Sequence, residues 1–439
     1  MTKRRDFIRK ITAGTAGIAI AGVSSGMSAR SFSRIIGAND RLNIAIIGLG
    51  RRYPSYTACI AQKESNVELL YLCDVMKSQR DKAAAIFSKV IDNKLVLEND
   101  IRKILADPKV DAIFNAAPDH WHTPGACMAM EAGKHVYVEK PCSHNPHETE
   151  LLVAFQKKYN KVVQMGNQYR SVPHIQEIVK EIRNGVIGKA FKAVSFLSSP
   201  REAVPVARKA PIPEGLDWEL FQGPAPRTEY THHTWDYNWH WYGWDYALAE
   251  IGNNGIHEMD IARWALQVDL PEHVDVEAEK RYLLNDGWTV YDTMEATFKF
   301  AGKKIIKWDG KSRCGYNTYG INRGNIIYGT EGTVFIDAFG YKVFDRVGKQ
   351  IKEGKKVAGA DDGTTLHMLN FFNTIRGKEN LTSPLEIATI SNLYSNYANI
   401  AYRIGKSFDI DTTTGRIYDR EAMKLWSREY EPGWEPRIG

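Results

Sequence analysis

Cysteine is scarce in this chain, which has five scattered cysteines in 439 residues and no Cys-x-x-Cys pair. That pattern argues against a disulfide scaffold and against a zinc ribbon. Long apolar runs are also missing, because residues 11–29 are uncharged but rich in Gly, Ser and Thr. A membrane span needs about 20 predominantly apolar residues, so we expect no stable membrane anchor. A hydrophobic content of 43% excludes a disordered chain, and the length predicts two or three domains.

Most of the chain has no excess of positive or negative charge. The formal net charge is +6, but residues 1–36 hold seven Lys or Arg and a single Asp. The remaining residues are therefore balanced between acidic and basic side chains. A binding surface for nucleic acid needs a basic patch in the folded part, so the sequence predicts no nucleic-acid partner.

The basic start resembles an export signal. Arg4 and Arg5 are followed by Phe7 and then by the uncharged stretch, as in a twin-arginine signal. An ordinary secretion signal is the alternative. We therefore expect residues 1–36 to be a signal peptide with its lead-in, and the protein to be periplasmic or otherwise exported.

Two different sequence patterns follow one another along the rest of the chain. Short apolar runs alternate with helical segments over residues 40–166, which predicts a doubly wound parallel α/β sheet. Its expected strands are 42–48, 67–74, 112–116, 135–138 and 162–165, and its expected helices are 78–90, 100–106, 123–131 and 147–159. Residues 167–439 predict an α+β substrate and oligomerisation domain with a largely antiparallel sheet. Its expected strands are 189–198, 291–300, 304–308, 324–328, 332–337 and 341–346, with late helices at 366–376 and 384–405.

A candidate dinucleotide site follows the first strand. Gly48 and Gly50 form a glycine turn that lets backbone N–H groups approach a pyrophosphate, although Tyr53 stands where a third glycine is usual. Asp74 ends the second strand at the spacing of an acid that binds the ribose hydroxyls, which favours NAD over NADP. A structural turn and a strand cap are the alternative interpretations of Gly48 and Asp74. Arg51 and Arg52 would either lie over the phosphates or be solvated.

Several further motifs occur together. They are Glu139-Lys140-Pro141, the run from Ala117 to His122, the run from Gln164 to Gln168, Leu216-Asp217-Trp218, and Trp239–Trp241 before Gly255-Ile256-His257. As a set they resemble the Gfo/Idh/MocA oxidoreductase family, in its bacterial branch. The resemblance implies a Rossmann domain, a second domain with an open-faced sheet, NAD as cofactor, and hydride transfer on a sugar or polyol. It also implies a homodimer or homotetramer.

The resemblance also implies individual roles. Lys140 would lie beside the nicotinamide and stabilise a developing alkoxide, with a surface lysine as the alternative. His257 would take the hydroxyl proton, with a hydrogen-bonded core histidine as the alternative. Asn253, His257 and Asp260 would share one helix face, with Asn253 standing where many members have Asp and Asp260 either catalytic or structural. The other expected cofactor contacts are Pro118, His122, Glu139 and Gln168.

An aromatic stretch supplies the candidate substrate surface. Residues 228–246 hold four Trp and four Tyr but no Lys or Arg, which suits a sugar better than a nucleic acid. Trp239, His240 and Trp241 are the candidates there, and a core cluster is the alternative. Tyr169 and Arg170 are further candidates, with a surface loop as their alternative. The neighbouring histidine pairs come with no convincing set of zinc ligands, so no metal is expected.

Three functions remain open at this point. The first is an exported oxidoreductase that acts on a hydroxyl of a sugar, glycoside or polyol with tightly bound NAD. The second is a redox-neutral, NAD-dependent glycosidase that works by oxidation, elimination, hydration and reduction. The third is a non-catalytic sugar-binding protein on this scaffold, which Tyr53 and Asn253 favour and which Asp74, Lys140 and His257 oppose.

Overall fold

The computed structural model describes residues 40–232, 234–358 and 360–438. The predicted signal segment lies outside these ranges. The chain divides into Met1–Arg41 and a second unit, Leu42–Gly439, which contains every element described below.

A six-stranded parallel sheet comes first in the second unit, as the alternating pattern predicts. Its order is β3-β2-β1-β4-β5-β6. The strands are β1 (Leu42–Ile47), β2 (Val67–Cys73), β3 (Val96–Glu98), β4 (Ala112–Asn115), β5 (His135–Val138) and β6 (Val163–Met165). The helices are α1 (Thr57–Ala61), α2 (Lys77–Phe87), α3 (Ile101–Leu105), α4 (Asp119–Glu131) and α5 (Pro146–Tyr159). Strand β3 was not predicted, because it has three residues, lies at the sheet edge and leaves Val96 and Leu97 exposed.

The strand order places a crevice at one end of this sheet. Strand β1 pairs with β2 on one side and with β4 on the other, so the direction of winding reverses between them. Ligands of open α/β sheets bind outside the carboxyl ends of the strands at this switch point. Gly48 follows β1 directly and Ala116 follows β4, which puts the predicted glycine turn at the crevice.

The second sheet has ten strands in the order β15-β14-β13-β12-β7-β10-β9-β8-β16, with β11 paired to β7. Its β7–β10 pair is parallel, while the other pairs are antiparallel, so the predicted open, largely antiparallel sheet is confirmed. The strands are β7 (Ala190–Pro200), β8 (His273–Glu279), β9 (Thr293–Phe300), β10 (Lys304–Lys311), β11 (Arg313–Cys314), β12 (Arg323–Gly329), β13 (Gly332–Asp337), β14 (Gly340–Asp345), β15 (Gln350–Lys355) and β16 (Phe408–Asp409).

Six helices follow the first domain in the described chain, and three of them pack on strands of the second sheet. They are α6 (Pro173–Arg183), α7 (Trp218–Gln222), α8 (Ile256–Leu266), α9 (Thr364–Ile375), α10 (Leu385–Ile404) and α11 (Arg420–Met423). Helix α8 packs on β7 and on α10, and α10 also contacts α5. Apolar side chains of α6, α8, α10 and the strands form one core that includes Ile178, Met259, Phe298 and Tyr394. This packing fixes α8 against the end of the first sheet.

The described ranges contain neither a membrane-spanning helix nor a disulfide bond. None of the helices there is long and apolar enough to cross a membrane. All five cysteines lie in these ranges and carry free thiols.

Candidate active site at the ends of the parallel strands

A cavity of about 550 Å³ opens at the carboxyl ends of the parallel strands, at the predicted position. Many of the residues predicted from the sequence line it. They are Gly48, Gly50, Arg51, Arg52, Asp74, Pro118, His122, Glu139, Lys140, Trp239, His240 and Asn253. The other predicted residues are not part of this lining: Gln168, Tyr169, Arg170, Trp241, His257 and Asp260.

Gly48 and Gly50 serve different purposes in the glycine turn. Gly48 has φ +84°, and a Cβ there would lie 2.4 Å from the main-chain carbon of Ala116. Side chains are therefore excluded at Gly48 by the contact between the ends of β1 and β4. A Cβ on Gly50 would meet nothing within 4 Å, so the backbone of Gly50 is open to a ligand. Gly48 thus fits the interpretation as a structural turn, and Gly50 fits the interpretation as a turn that a pyrophosphate can approach.

Replacement of Gly48 by Ala is expected to destabilise the fold by roughly 2 kcal/mol or more, since it adds both a steric clash and a strained φ. Chemical denaturation measures the effect. The matched control is Gly50→Ala, which should change the unfolding free energy by less than about 0.5 kcal/mol. Equal losses for both variants would contradict this distinction.

Asp74 is held at the end of β2 by main-chain donors. Its carboxylate accepts hydrogen bonds from the N–H groups of Leu49 at 2.7 Å and Met76 at 2.8 Å. Burial raises the pKa of Asp74, and these two N–H groups oppose that rise. The nearby hydroxyl of Tyr53 is buried and has no hydrogen-bond partner among the described residues. An acid beside a free phenol, next to the open backbone of Gly50, fits the ribose and phosphate of a dinucleotide.

The two arginines after the turn have distinct partners. The Nε of Arg52 donates to Glu139 at 2.7 Å, and its Nη2 donates to Thr364 at 3.1 Å. The guanidinium of Arg51 lies 3.9 Å from the centre of the Tyr237 ring. Arg52 therefore connects the turn to β5 and α9, and Arg51 connects it to the aromatic stretch. Tyr237 was not singled out from the sequence, because one tyrosine among four in that stretch carries no distinguishing signal.

Lys140 follows β5 and is half-buried in the cavity wall. Its ammonium donates to the main-chain oxygen of Asn253 and, at 3.3 Å, to the Oδ1 of the same residue. Burial lowers the pKa of Lys140, and the negative charges of Glu139 and Asp119 oppose that lowering. An ammonium with a reduced pKa is a suitable donor to a hydroxyl or alkoxide oxygen.

Asp119 is a site residue that sequence reasoning missed. It begins α4, lines the cavity and is almost fully buried. Burial raises the pKa of Asp119 to about 7, although the Lys140 ammonium acts in the opposite direction. The available signal was its place four residues after the end of β4, within the run from Ala117 to His122. Nearby, burial lowers the pKa of His122 to about 4, and its Nε2 is unpartnered in the described chain.

The residues expected on one helix face are separated by an irregular turn. A π-helical turn, Ile251–Gly255, precedes α8 and contains Asn253, so the regular α-helical spacing from Asn253 to His257 is broken. Asn253 lines the cavity, whereas His257 is buried against the ring of Tyr169 at 5.2 Å between centres. Burial and the charges of Lys140 and Arg323 lower the pKa of His257 well below 6.5, so its imidazole is neutral.

Asp260 and Arg170 bind each other in the interior. The Nε and Nη2 atoms of Arg170 donate to the Asp260 carboxylate at 2.7 and 2.8 Å. Asn167 and Ser391 donate to the same carboxylate at 2.9 and 2.5 Å. Both charged side chains are at least 95% buried. The catalytic role of Asp260 and the substrate role of Arg170 stay predictions, and this geometry favours a positioning role for both.

The aromatic stretch divides between core and cavity. Trp241 is buried and stacks on Trp288 with ring centres 3.9 Å apart, so the core interpretation applies to it. Trp239 stacks on His240 at 3.6 Å, and both line the cavity. Gln168 also lies back from the cavity, where it donates to Asp362 at 2.8 Å. Across the described ranges, His, Cys, Asp and Glu form no group of three that could hold a metal ion.

Two family models match nearly all of the described chain. Residues 42–167 match an oxidoreductase family with an NAD-binding Rossmann fold. Residues 175–435 match the C-terminal alpha/beta domain of an oxidoreductase family. These matches confirm the predicted family and its NAD-binding Rossmann domain, and with that domain the predicted cofactor, NAD.

Individual proteins match over shorter stretches. A glycosyl hydrolase family 109 protein of Saccharopolyspora erythraea is 28% identical over 215 residues, 45% of this chain and 46% of that protein. D-glucoside 3-dehydrogenase of Escherichia coli K12 is 27% identical over 150 residues, 34% of this chain and 41% of that enzyme. The chain spans about half the length of the curated relatives it matches.

The fold is also found among solved structures. The WlbA dehydrogenase of Bordetella pertussis, in complex with NADH and UDP-GlcNAcA, superposes with a TM-score of 0.62 at 19% identity. The match covers 84% of this chain and 99% of that one. At this level of identity the likeness establishes the shared two-domain fold.

Proposed function

We infer from the membership of this chain in the Gfo/Idh/MocA oxidoreductase family that it oxidises a hydroxyl group of a sugar, glycoside or polyol with NAD. The observation that carries the proposal is one cavity with two chemically different ends. Asp74 and Gly50 at one end suit a dinucleotide, and Lys140 and Asn253 at the other suit a hydroxylated carbon.

Each residue at the second end has a defined task. Lys140 donates a hydrogen bond to the substrate oxygen and stabilises negative charge there. Asn253, in the lining, orients a second hydroxyl. The proposed acceptor of the hydroxyl proton is His257, whose imidazole is neutral but lies outside the lining of the cavity. Trp239 and His240 pack against the C–H face of the ring. Bound NAD⁺ supplies the acceptor for the hydride that leaves the carbinol carbon.

The proposal is tested on the purified full chain. Bound nucleotide is released by denaturation and identified, and NADH formation is then followed with a panel of monosaccharides, methyl glycosides and polyols. We expect NAD in the protein, or its uptake from solution, and turnover of at least one hydroxylated substrate. Failure to bind NAD under any loading condition would overturn the proposal.

A redox-neutral glycosidase is the second candidate, and the similarity to a glycosyl hydrolase family 109 protein favours it. This reaction cleaves a glycosidic bond without net change in NAD. Aryl glycosides distinguish the two candidates, because a glycosidase releases free aglycone at a constant NADH signal. Stoichiometric NADH without aglycone supports the dehydrogenase.

The pH profile of the reaction is expected to report Asp119. Its pKa of about 7 means that the carboxyl is neutral below that pH and charged above it. The negative charge of the ionised carboxyl stabilises the protonated form of Lys140, which is the hydrogen-bond donor to the substrate oxygen. The rate should therefore rise with pH through about 7. Asp119→Asn should remove this inflection and lower the rate above it by about tenfold, because Lys140 loses a neighbouring negative charge that favours its ammonium form.

Asp236→Asn is the control for the pH profile, since it removes an exposed carboxylate from the same cavity. That variant should keep the inflection near pH 7. An inflection that survives in Asp119→Asn would assign it to another group. The histidines are poor candidates, because burial lowers the pKa of His122 to about 4 and that of His257 well below 6.5.

We also propose that the protein is exported with tightly bound NAD and assembles as a dimer or tetramer. The twin arginines support export, and a folded protein carried by that route can take its cofactor from the cytoplasm. Cell fractionation tests this, with the paired change Arg4→Lys and Arg5→Lys expected to keep the protein in the cytoplasm. Light scattering of the purified protein gives the oligomeric state, and a monomer would contradict the assembly.

A further inference from the structure

A second cavity, of about 290 Å³, shares no lining residue with the cavity that Asp74 and Lys140 line, which we call the nicotinamide cavity. The start of α5, residues 244–248, helix α10 and residues 424–429 form its wall. Nothing in the proposed reaction uses these groups. The cavity therefore needs its own explanation.

The floor of this cavity contains polar groups with unused hydrogen-bonding capacity. Asn396 is 2% exposed, and neither its Nδ2 nor its Oδ1 has a partner among the described residues. Asn145 uses its Oδ1 to accept from the Glu148 N–H at 3.1 Å, but its Nδ2 is also unpartnered within the described chain. A buried amide without a partner costs about 1–3 kcal/mol, so a ligand that binds these atoms recovers that energy.

The charges around the cavity favour a neutral ligand. Arg428 reaches the lining, where its Nη2 pairs with the buried carboxylate of Glu148 at 2.8 Å and donates to the His120 carbonyl at 2.7 Å. Its Nη1 is unpartnered among the described residues, but the Glu148 carboxylate balances the charge of the guanidinium. Burial holds the pKa of His144 well below 6.5, so this imidazole is uncharged. The exposed rim has both signs of charge, with Asp245 and Arg403 among its members. An ion would find no large excess of opposite charge in this lining.

The uncharged part of the lining suits one class of small molecule. Trp244, Leu248 and Ile400 offer apolar surface, while planar amides at Asn145 and Asn396 present donors and an acceptor. Planar amides can bridge adjacent hydroxyls, and an indole packs against a C–H face. The volume is near the lower limit for a ligand pocket and fits a single ring, not a dinucleotide. We propose that this cavity is a second binding site, for one neutral monosaccharide ring.

The direct test is crystallography of the NAD-loaded protein soaked in D-glucose, D-galactose or N-acetyl-D-glucosamine. We expect one sugar ring in the second cavity of the wild type, in contact with the Asn396 amide. Water alone with all three sugars would overturn the proposal. Phosphate or acetate in place of sugar, in matched soaks, would overturn it too by identifying an anion site.

Asn396→Leu is the matched variant, because leucine has a similar shape and removes a buried amide that lacks a partner. It should keep or raise the melting temperature and lose the ring from this cavity, with at least a tenfold weaker affinity by calorimetry. Trp244→Ala tests the apolar wall independently and should weaken binding in the same way. Unchanged binding in both variants would contradict the site.

NAD binding provides a separate readout. Asn396 lies outside the nicotinamide cavity, so Asn396→Leu should leave NAD binding intact. Binding is compared in the wild type and the variant without any need for turnover. A failure of the second site is therefore distinguishable from a failure of the proposed oxidoreductase function.

Discussion

Replacement of Lys140 by Ala is expected to lower kcat by about 10³-fold and to leave NAD bound. The ammonium is the cationic donor at the end of the cavity where Asn253 lies, and its loss removes the charge that stabilises a developing alkoxide. Mutational losses for a proton-transfer group or an oxyanion donor are of order 10²–10⁴. The measurement is kcat with the substrate identified in the panel, alongside the NAD content of the variant.

Lys134 supplies the matched control for this experiment. Lys134 is buried and, like Lys140, donates to a main-chain oxygen, that of Asp107 at 2.7 Å, but it precedes β5 whereas Lys140 follows it. The two side chains therefore lie at opposite ends of one strand. Lys134→Ala should keep the turnover of each folded molecule. Full turnover in Lys140→Ala would contradict the assigned mechanism.

Replacement of Asp260 by Ala is expected to lower the free energy of unfolding by about 3–5 kcal/mol, the usual result of breaking a buried ion pair. The change leaves the Arg170 guanidinium without its bidentate acceptor in a site that is 4% exposed. It also frees the side chains of Asn167 and Ser391. Chemical denaturation of the variant and the wild type measures the loss.

The control for Asp260 is an exposed pair, Lys77 with Asp81 at 2.6 Å on α2. Asp81→Ala should cost at most about 1 kcal/mol, because water screens such pairs. The experiment also separates the two roles considered for Asp260. A variant of unchanged stability that has lost all turnover would favour direct catalysis over positioning.

The cofactor end of the site was predictable because its chemistry is local in sequence. Gly48 and Gly50 directly follow a buried strand, and Asp74 ends the next one. Carboxyl ends of neighbouring parallel strands meet at one edge, so residues after them meet as well. Lys140 follows the same rule at the end of β5. Each of these residues lines the cavity.

Contacts with partners from distant parts of the chain could not be predicted. Arg52 lines the cavity, and its place over the phosphates stays a prediction, but its bonds to Glu139, 87 residues away, and Thr364, 312 residues away, were not foreseen. Likewise, the pKa of Asp119 depends on burial, and burial depends on segments that pack over α4. Spacing along the chain contains no information about such contacts.

The sequence by itself determined the order of the two sheets, the oxidoreductase family, the cofactor, and the residues that follow the parallel strands. Only the tertiary structure decided that Trp241 is core while Trp239 lines the cavity, and that Asp260 binds Arg170 instead of facing the cavity. It alone also revealed a second cavity between α5, α10 and the last residues of the chain. The physical reason is that strand and helix patterns follow from neighbouring residues, whereas burial, charge pairing and cavities arise where distant segments pack together.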